Sequence, residues 1–163
     1  MDRQALWWLC LVAGLGACAS AKPTLYDEPA IQAVQMWTVG FAYESAPAEE
    51  PAFTEAGAEA LAMSDLRRAR DGKLRDEIAV SLKDHYKIDA SQALRQGAGQ
   101  ILLQPVSGIY GFASVSVDIL LPTGKTAGSL KVKNGDNRAT SKNDRDFAEY
   151  TANAIAAAMR GEK

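Results

Sequence analysis

The chain has 163 residues with 20 acidic and 18 basic side chains, a formal net charge of −2, 47% hydrophobic and 23% charged residues. That balance excludes a disordered tail and limits the chain to one folded domain with a core of its own. It also lacks the basic surplus that a nucleic-acid-binding surface requires, so no nucleic acid is expected as a partner.

Met1 to Gln4 carry the amino terminus and Arg3, with Asp2 beside it. Ala5 to Gly16 form an uncharged apolar run containing Leu6, Trp7, Trp8, Leu9, Leu11, Val12 and Leu15. Basic start, short apolar run and small residues at the end are the order of a secretory signal. At ~1.5 Å per residue the run is too short for the ~30 Å hydrocarbon layer that a spanning helix crosses.

Leu15-Gly16-Ala17-Cys18 resembles the lipobox of bacterial lipoproteins: an aliphatic residue, two small residues and a cysteine. The resemblance implies cleavage between Ala17 and Cys18, with residues 1–17 as the signal. Cys18 would become the first mature residue, carrying a diacylglyceryl thioether and an N-acyl group. No other cofactor is expected. In Gram-negative cells an Asp after the lipidated cysteine retains such proteins in the inner membrane. Ala19 and Ser20 stand there instead, which implies the periplasmic face of the outer membrane. The other reading of these residues, an ordinary secretory signal cleaved after Ala17 or Ala19, leaves Cys18 incidental.

Loss of residues 1–17 removes Asp2 and Arg3 and leaves 19 acidic and 17 basic residues. Cys10 leaves with the signal, so the mature chain has no disulfide and depends on its core. Residues 18–29 read as a lipidated tether, with Lys22-Pro23 and Asp27-Glu28-Pro29 opposing helix. Residues 30–163 read as a single periplasmic domain.

Ile31 to Tyr43 alternate, with Ile31, Ala33, Trp37, Val39, Phe41 and Tyr43 on one parity, and predict a strand. Glu44 to Gly57, with Pro47, Pro51, four acids and no base, predicts a loop. Ala58 to Tyr86 predict helix with a break or kink at Asp71-Gly72. Leu74, Ile78 and Leu82 mark its buried stripe, and Leu61, Ala62 and Leu66 mark a weaker one before the break. Arg67, Arg68 and Arg70 are mixed with Asp65 and Asp71, a solvated face rather than an anion site.

Ser91 to Gln96 predict one further helical turn. Three strands follow: Ile101 to Val106, Phe112 to Leu121, and Gly128 to Lys133. The last two join through Pro122-Thr123-Gly124-Lys125, which is turn chemistry. Gly124-Lys125-Thr126 imitates the end of a phosphate-binding loop, but Ile119 stands where that motif needs glycine, and a strand follows where it needs a helix. No nucleotide is expected. Asn134-Gly135-Asp136-Asn137 lacks the remainder of a calcium loop. Asn143 or Asp144 caps a last helix that buries Phe147, Tyr150, Thr151, Ala154, Ile155 and Ala158 and stops at Gly161.

The predicted fold is α/β, a single mixed sheet of about four strands flanked by helices, in the order β-α(α)-β-β-β-α. This order, with the lipid anchor, resembles small envelope lipoproteins whose domain is like the amino-terminal domain of TolB. Activators of penicillin-binding proteins and ring-forming accessory lipoproteins of curli and exopolysaccharide export belong to that group. The resemblance carries no diagnostic motif and transfers no functional residue.

The single histidine, His85, sits among Lys83, Asp84 and Lys87 at a helix end, with no second histidine or free thiol to join it. Nucleophile, base and metal-ligand constellations are therefore missing, and neither catalytic nor metal residues are expected. The expected function is a non-enzymatic scaffold or accessory subunit in envelope assembly, export or cell-wall synthesis. It would be held at the membrane by lipid and bound to an envelope protein or to copies of itself. Ile109, Tyr110 and Phe112, flanked by Gly108 and Gly111, are the candidate contact, or else a tight hairpin and core. The alternative function is a tethered carrier of a small ligand or lipid, with Trp37 or Phe41 lining a pocket, or a hydrolase.

Overall fold

A computed structural model of the protein describes residues 23–45, 55–108, 111–134 and 144–162. Its chain order is β1 (Thr24–Leu25), α1 (Glu28–Ala33), β2 (Met36–Phe41), a 3-10 helix (Ala42–Ser45), α2 (Glu55–Asp84), β3 (Asp89–Ser91), β4 (Gly99–Ser107), β5 (Phe112–Leu120), β6 (Thr126–Lys133) and α3 (Asp144–Met159). The strands form one mixed sheet in the order β1-β6-β5-β4-β2-β3. β2 runs parallel to both β3 and β4, whereas β4, β5 and β6 form an antiparallel meander and β1 pairs antiparallel with β6.

Register explains why one face of this sheet is apolar. Val39 lies opposite Ile101 and Ile101 opposite Ile119; in the next row Phe41, Leu103, Val117 and Leu130 stand side by side. All are buried, and they form one core with Leu74, Ile78 and Leu82 of α2, Phe147 and Ile155 of α3, and Ile31 of α1. The other parity carries Gln100, Leu102 and Gln104 on β4, Ser116 and Asp118 on β5, and Ser129, Lys131 and Lys133 on β6. Among the described residues no helix packs on that second face. Period-two alternation of this kind marks a sheet with one covered side.

Five sequence expectations change. The strand expected from Ile31 to Tyr43 begins only at Met36, because Glu28–Ala33 is helical: Asp27 caps it by accepting from the Ala30 N–H at 3.2 Å, and Pro29 occupies its first turn. Ile31 is buried from that helix, which imitates strand parity. The expected tether up to residue 29 is shortened, since Thr24 and Leu25 already pair with Ser129 and Gly128. α2 runs without a break through Asp71-Gly72 for 30 residues. In place of the helical turn expected over Ser91 to Gln96, β3 ends at Ser91 and a turn follows, closed by the Ala98 N–H donating to the Arg95 carbonyl at 3.2 Å. With β1 and β3 added the sheet has six strands rather than four.

Two glycines are required by their surroundings. A Cβ on Gly99 would lie 2.6 Å from the Trp37 ring, which covers that backbone. Gly124 has φ +81° in the β5–β6 turn, where the Gly124 N–H donates to the Leu121 carbonyl at 2.8 Å and the Leu121 N–H donates to the Lys125 carbonyl at 2.9 Å. A strand follows that turn, as the sequence predicts.

Candidate functional site

The carboxyl ends of the parallel strands β2 and β4, the start of β5, the start of α3 and the middle of α2 meet at one end of the sheet. Ligand sites of open α/β sheets favour such an end, because connections leave there in different directions. Phe41 closes β2, and its ring stacks on Tyr43 with centroids 4.9 Å apart. The Tyr43 hydroxyl donates to Asp71 Oδ2 at 3.3 Å. Asp71 is buried within α2, and desolvation pushes its carboxyl above the ordinary aspartate value against the Tyr43 hydrogen bond and the charges of Arg67 and Arg70.

One residue earlier on α2, Arg70 donates from Nε and Nη2 to the two carboxylate oxygens of Asp144 at 3.0 and 3.1 Å. This bidentate bond holds the Arg70 pKa above its usual value, opposed by partial desolvation. The same guanidinium lies 4.4 Å from the Phe112 ring centroid, a cation–π contact. Phe112 in turn packs on Phe147 of α3 with ring centroids 6.2 Å apart.

Above this cluster a groove of about 530 Å³ runs between α2 and the end of β4, lined by Met63, Ser64, Leu66, Arg67, Arg70 and Ser107. Met63 is 68% exposed and Leu66 67% exposed. Met63, Leu66, Arg67 and Arg70 share one side of the helix through three- and four-residue spacing. From Met63 to Ala69 no residue of α2 is buried, and the buried positions begin at Asp71. Two large apolar side chains beside Arg67 thus stand open at a surface.

The sequence-predicted residues fall in different places. Ala17 and Cys18 lie outside the described residues, as do Ile109 and Tyr110. Phe112 is 2% exposed, so of its two readings it takes the core one: its ring is covered by Arg70 and Phe147. Gly108 and Gly111 close the hairpin that carries residues 109–110, the Gly108 N–H donating to the Gly111 carbonyl at 2.6 Å. His85 follows the opposite end of α2, ~22 Å along the helix from Arg70 at ~1.5 Å per residue, and Ser64 and Ser107 in the groove have no histidine near them. Asn134 donates through Nδ2 to the Phe112 carbonyl at 2.8 Å, a structural bond that closes the meander.

Sequence reasoning missed Met63 as a lining residue and read Leu66 as part of a weak buried stripe. The signal that could have found it was an apolar pair at helical spacing beside Arg67 and Arg70. A recess of about 380 Å³ lies at the other end of the sheet, bounded by Ile31, Val34, Trp37, Ile88 and Met159 among others. Trp37 forms its floor but is only 2% exposed. Among the described residues no group of three or more His, Cys, Asp or Glu could hold a metal ion, and no helix is long and apolar enough to cross a membrane. Comparison of the chain with family models, curated proteins and solved structures gives no match.

Proposed function

We propose that the chain is a lipid-anchored envelope subunit without catalytic activity, held through Cys18 on the periplasmic face of the outer membrane. It binds a partner protein in the groove beside Met63 and Leu66 and serves envelope assembly, export or cell-wall synthesis. The observation that carries this reading is the groove itself: an exposed apolar pair and Arg67 on the stretch of α2 from Met63 to Ala69, where no side chain is buried. Burying such side chains contributes ~25 cal/mol per Å², so leaving them open is a cost that a partner removes.

A carrier of a small ligand is the second reading, and the recess floored by Trp37 favours it. Trp37 offers a ligand almost no aromatic surface, and for that reason partner binding is preferred. The test is photo-crosslinking of the full chain in its native membrane from position Met63, followed by mass spectrometry of the adduct. Wild type should yield one defined partner, and Leu66→Asp and Cys18→Ala should each lose it, the second by mislocalisation. Recovery of a small-molecule adduct or of no adduct sinks the partner reading.

A further inference from the structure

We propose that Lys131 and Lys133 lay the domain on an anionic phospholipid surface with the open face of its sheet turned to the headgroups. The inference rests on Cys18 being the lipid anchor and extends that reading from where the chain is held to how it is oriented.

The argument starts at β1. It runs antiparallel to β6 with Thr24 opposite Ser129, so the chain enters β1 from the Lys131–Lys133 end of β6. Continued pairing would set Pro23 against Leu130, and proline has no N–H to donate, which is why β1 stops at Thr24. Thr24 is six residue steps from Cys18, a reach of at most ~20 Å at ~3.3 Å each. Lys133 stands four residues beyond Ser129 on β6, ~13 Å along the strand. Acyl chains on Cys18 therefore enter a bilayer within one tether length of both lysines.

Charge decides what the face meets. Lys131 and Lys133 are exposed, and their cross-strand neighbours are Ser116 and Ser114. Among the described residues neither lysine has an ion-pair partner. The acids on this face, among the described residues, are Asp118, opposite Ser129 and one diagonal from Lys131, and Asp89 at the far β3 edge, opposite Met36 and neutralised by Arg95 at 2.9 Å. Lys125 and Asp27, at the lower end of the same edge, offset each other at 3.7 Å. The remaining side chains of the face on β4 include the uncharged Gln100 and Gln104. Each lysine near an anionic leaflet shifts the equilibrium toward contact about fivefold, and the tether supplies a high local concentration of headgroups. With the sheet turned down, the helical layer faces away and the Met63–Leu66 groove stays open to a partner.

The full lipidated chain, reconstituted into phosphatidylcholine vesicles with or without phosphatidylglycerol, tests this. Amine-reactive labelling of Lys131 and Lys133, measured by mass spectrometry against Lys73 on exposed α2, should fall several-fold only with phosphatidylglycerol and recover in high salt. A fluorophore on Gln104→Cys should be quenched by a lipid-borne quencher in the same vesicles, and Lys131→Gln with Lys133→Gln should return the quenching to its level without phosphatidylglycerol. Equal labelling in both vesicles, on a chain whose Cys18 carries the diacylglyceryl mass, overturns the orientation and leaves the anchor standing. A chain without that mass on Cys18 overturns both.

Discussion

Arg70 ties the middle of α2 to Asp144, the first residue of α3, through two hydrogen bonds while its guanidinium covers the Phe112 ring. Two helices and the first residue of β5 are thus joined by one side chain. Arg70→Ala should destabilise the protein by about 1–2 kcal/mol, and Arg70→Lys by about half as much, since lysine keeps the charge but loses the fork. Urea unfolding of both variants checks this. A double-mutant cycle with Asp144→Ala should give a coupling of about 0.5–1 kcal/mol, the modest value expected of a pair that is partly solvated.

Asp71 has the opposite sign of pH dependence from most paired carboxylates. Its pKa is raised in the folded protein, mainly by desolvation, so the folded state takes up a proton before the unfolded chain does as pH falls. Above the folded pKa the charge therefore costs stability, and that cost disappears as pH falls through the raised value toward the ordinary 3.8. Asp71→Asn keeps an acceptor for the Tyr43 hydroxyl. It should equal or exceed wild type at neutral pH, and its advantage should vanish toward acid. Thermal melts across that range decide it; an advantage that grows on acidification contradicts the assignment.

Gly99→Ala forces a Cβ into the Trp37 ring, 2.6 Å away. Overpacking of this kind costs ~1–3 kcal/mol, and a loss of near-ultraviolet dichroism from the displaced indole should accompany it. Gly72→Ala is the control. No atom lies within 4 Å of its would-be Cβ, and removing glycine from a helix interior should stabilise by ~0.5–1 kcal/mol.

Arg95 closes the β3 edge. Its Nη1 contacts both carboxylate oxygens of Asp89 at 3.1 and 2.9 Å, and its Nη2 donates to the carbonyls of Trp37 and Asp89 at 3.0 and 2.9 Å. Arg95→Ala should cost about 1–2 kcal/mol and leave edge carbonyls able to pair with another chain. Light scattering on warming should then rise earlier than for wild type.

Long alternating strands were legible because periodicity records burial directly: β5, β6 and most of β4 lie where their apolar parity predicts. β1 and β3, with two and three residues, are too short to show a period and exist through their neighbours. α1 hid behind an accident of spacing, since Ile31 is buried from a helix yet shares the parity of Trp37, Val39 and Phe41. The kink expected at Asp71-Gly72 came from reading a charged residue and a glycine as breakers. In the fold Asp71 turns inward to Tyr43, a partner 28 positions away that no local pattern reveals. The groove was half legible for the same reason: Leu66 had the spacing of a core residue, and only the fold left that stretch of helix without a core to enter.

A 30-residue helix is ~45 Å long at ~1.5 Å per residue, and in it no side chain from Met63 to Ala69 is buried, whereas those from Asp71 onward reach the core. The two halves then differ in the free energy of opening. Amides beyond Leu74 should exchange hydrogen only with the rest of the core, while those around Met63 to Ala69 open locally and fast. A ligand that seats on the free half would repay the ordering of those turns, so its affinity would carry a folding term. α2 joins one continuous rod to two cooperative units, and the boundary between them falls at the Arg70–Asp144 clasp.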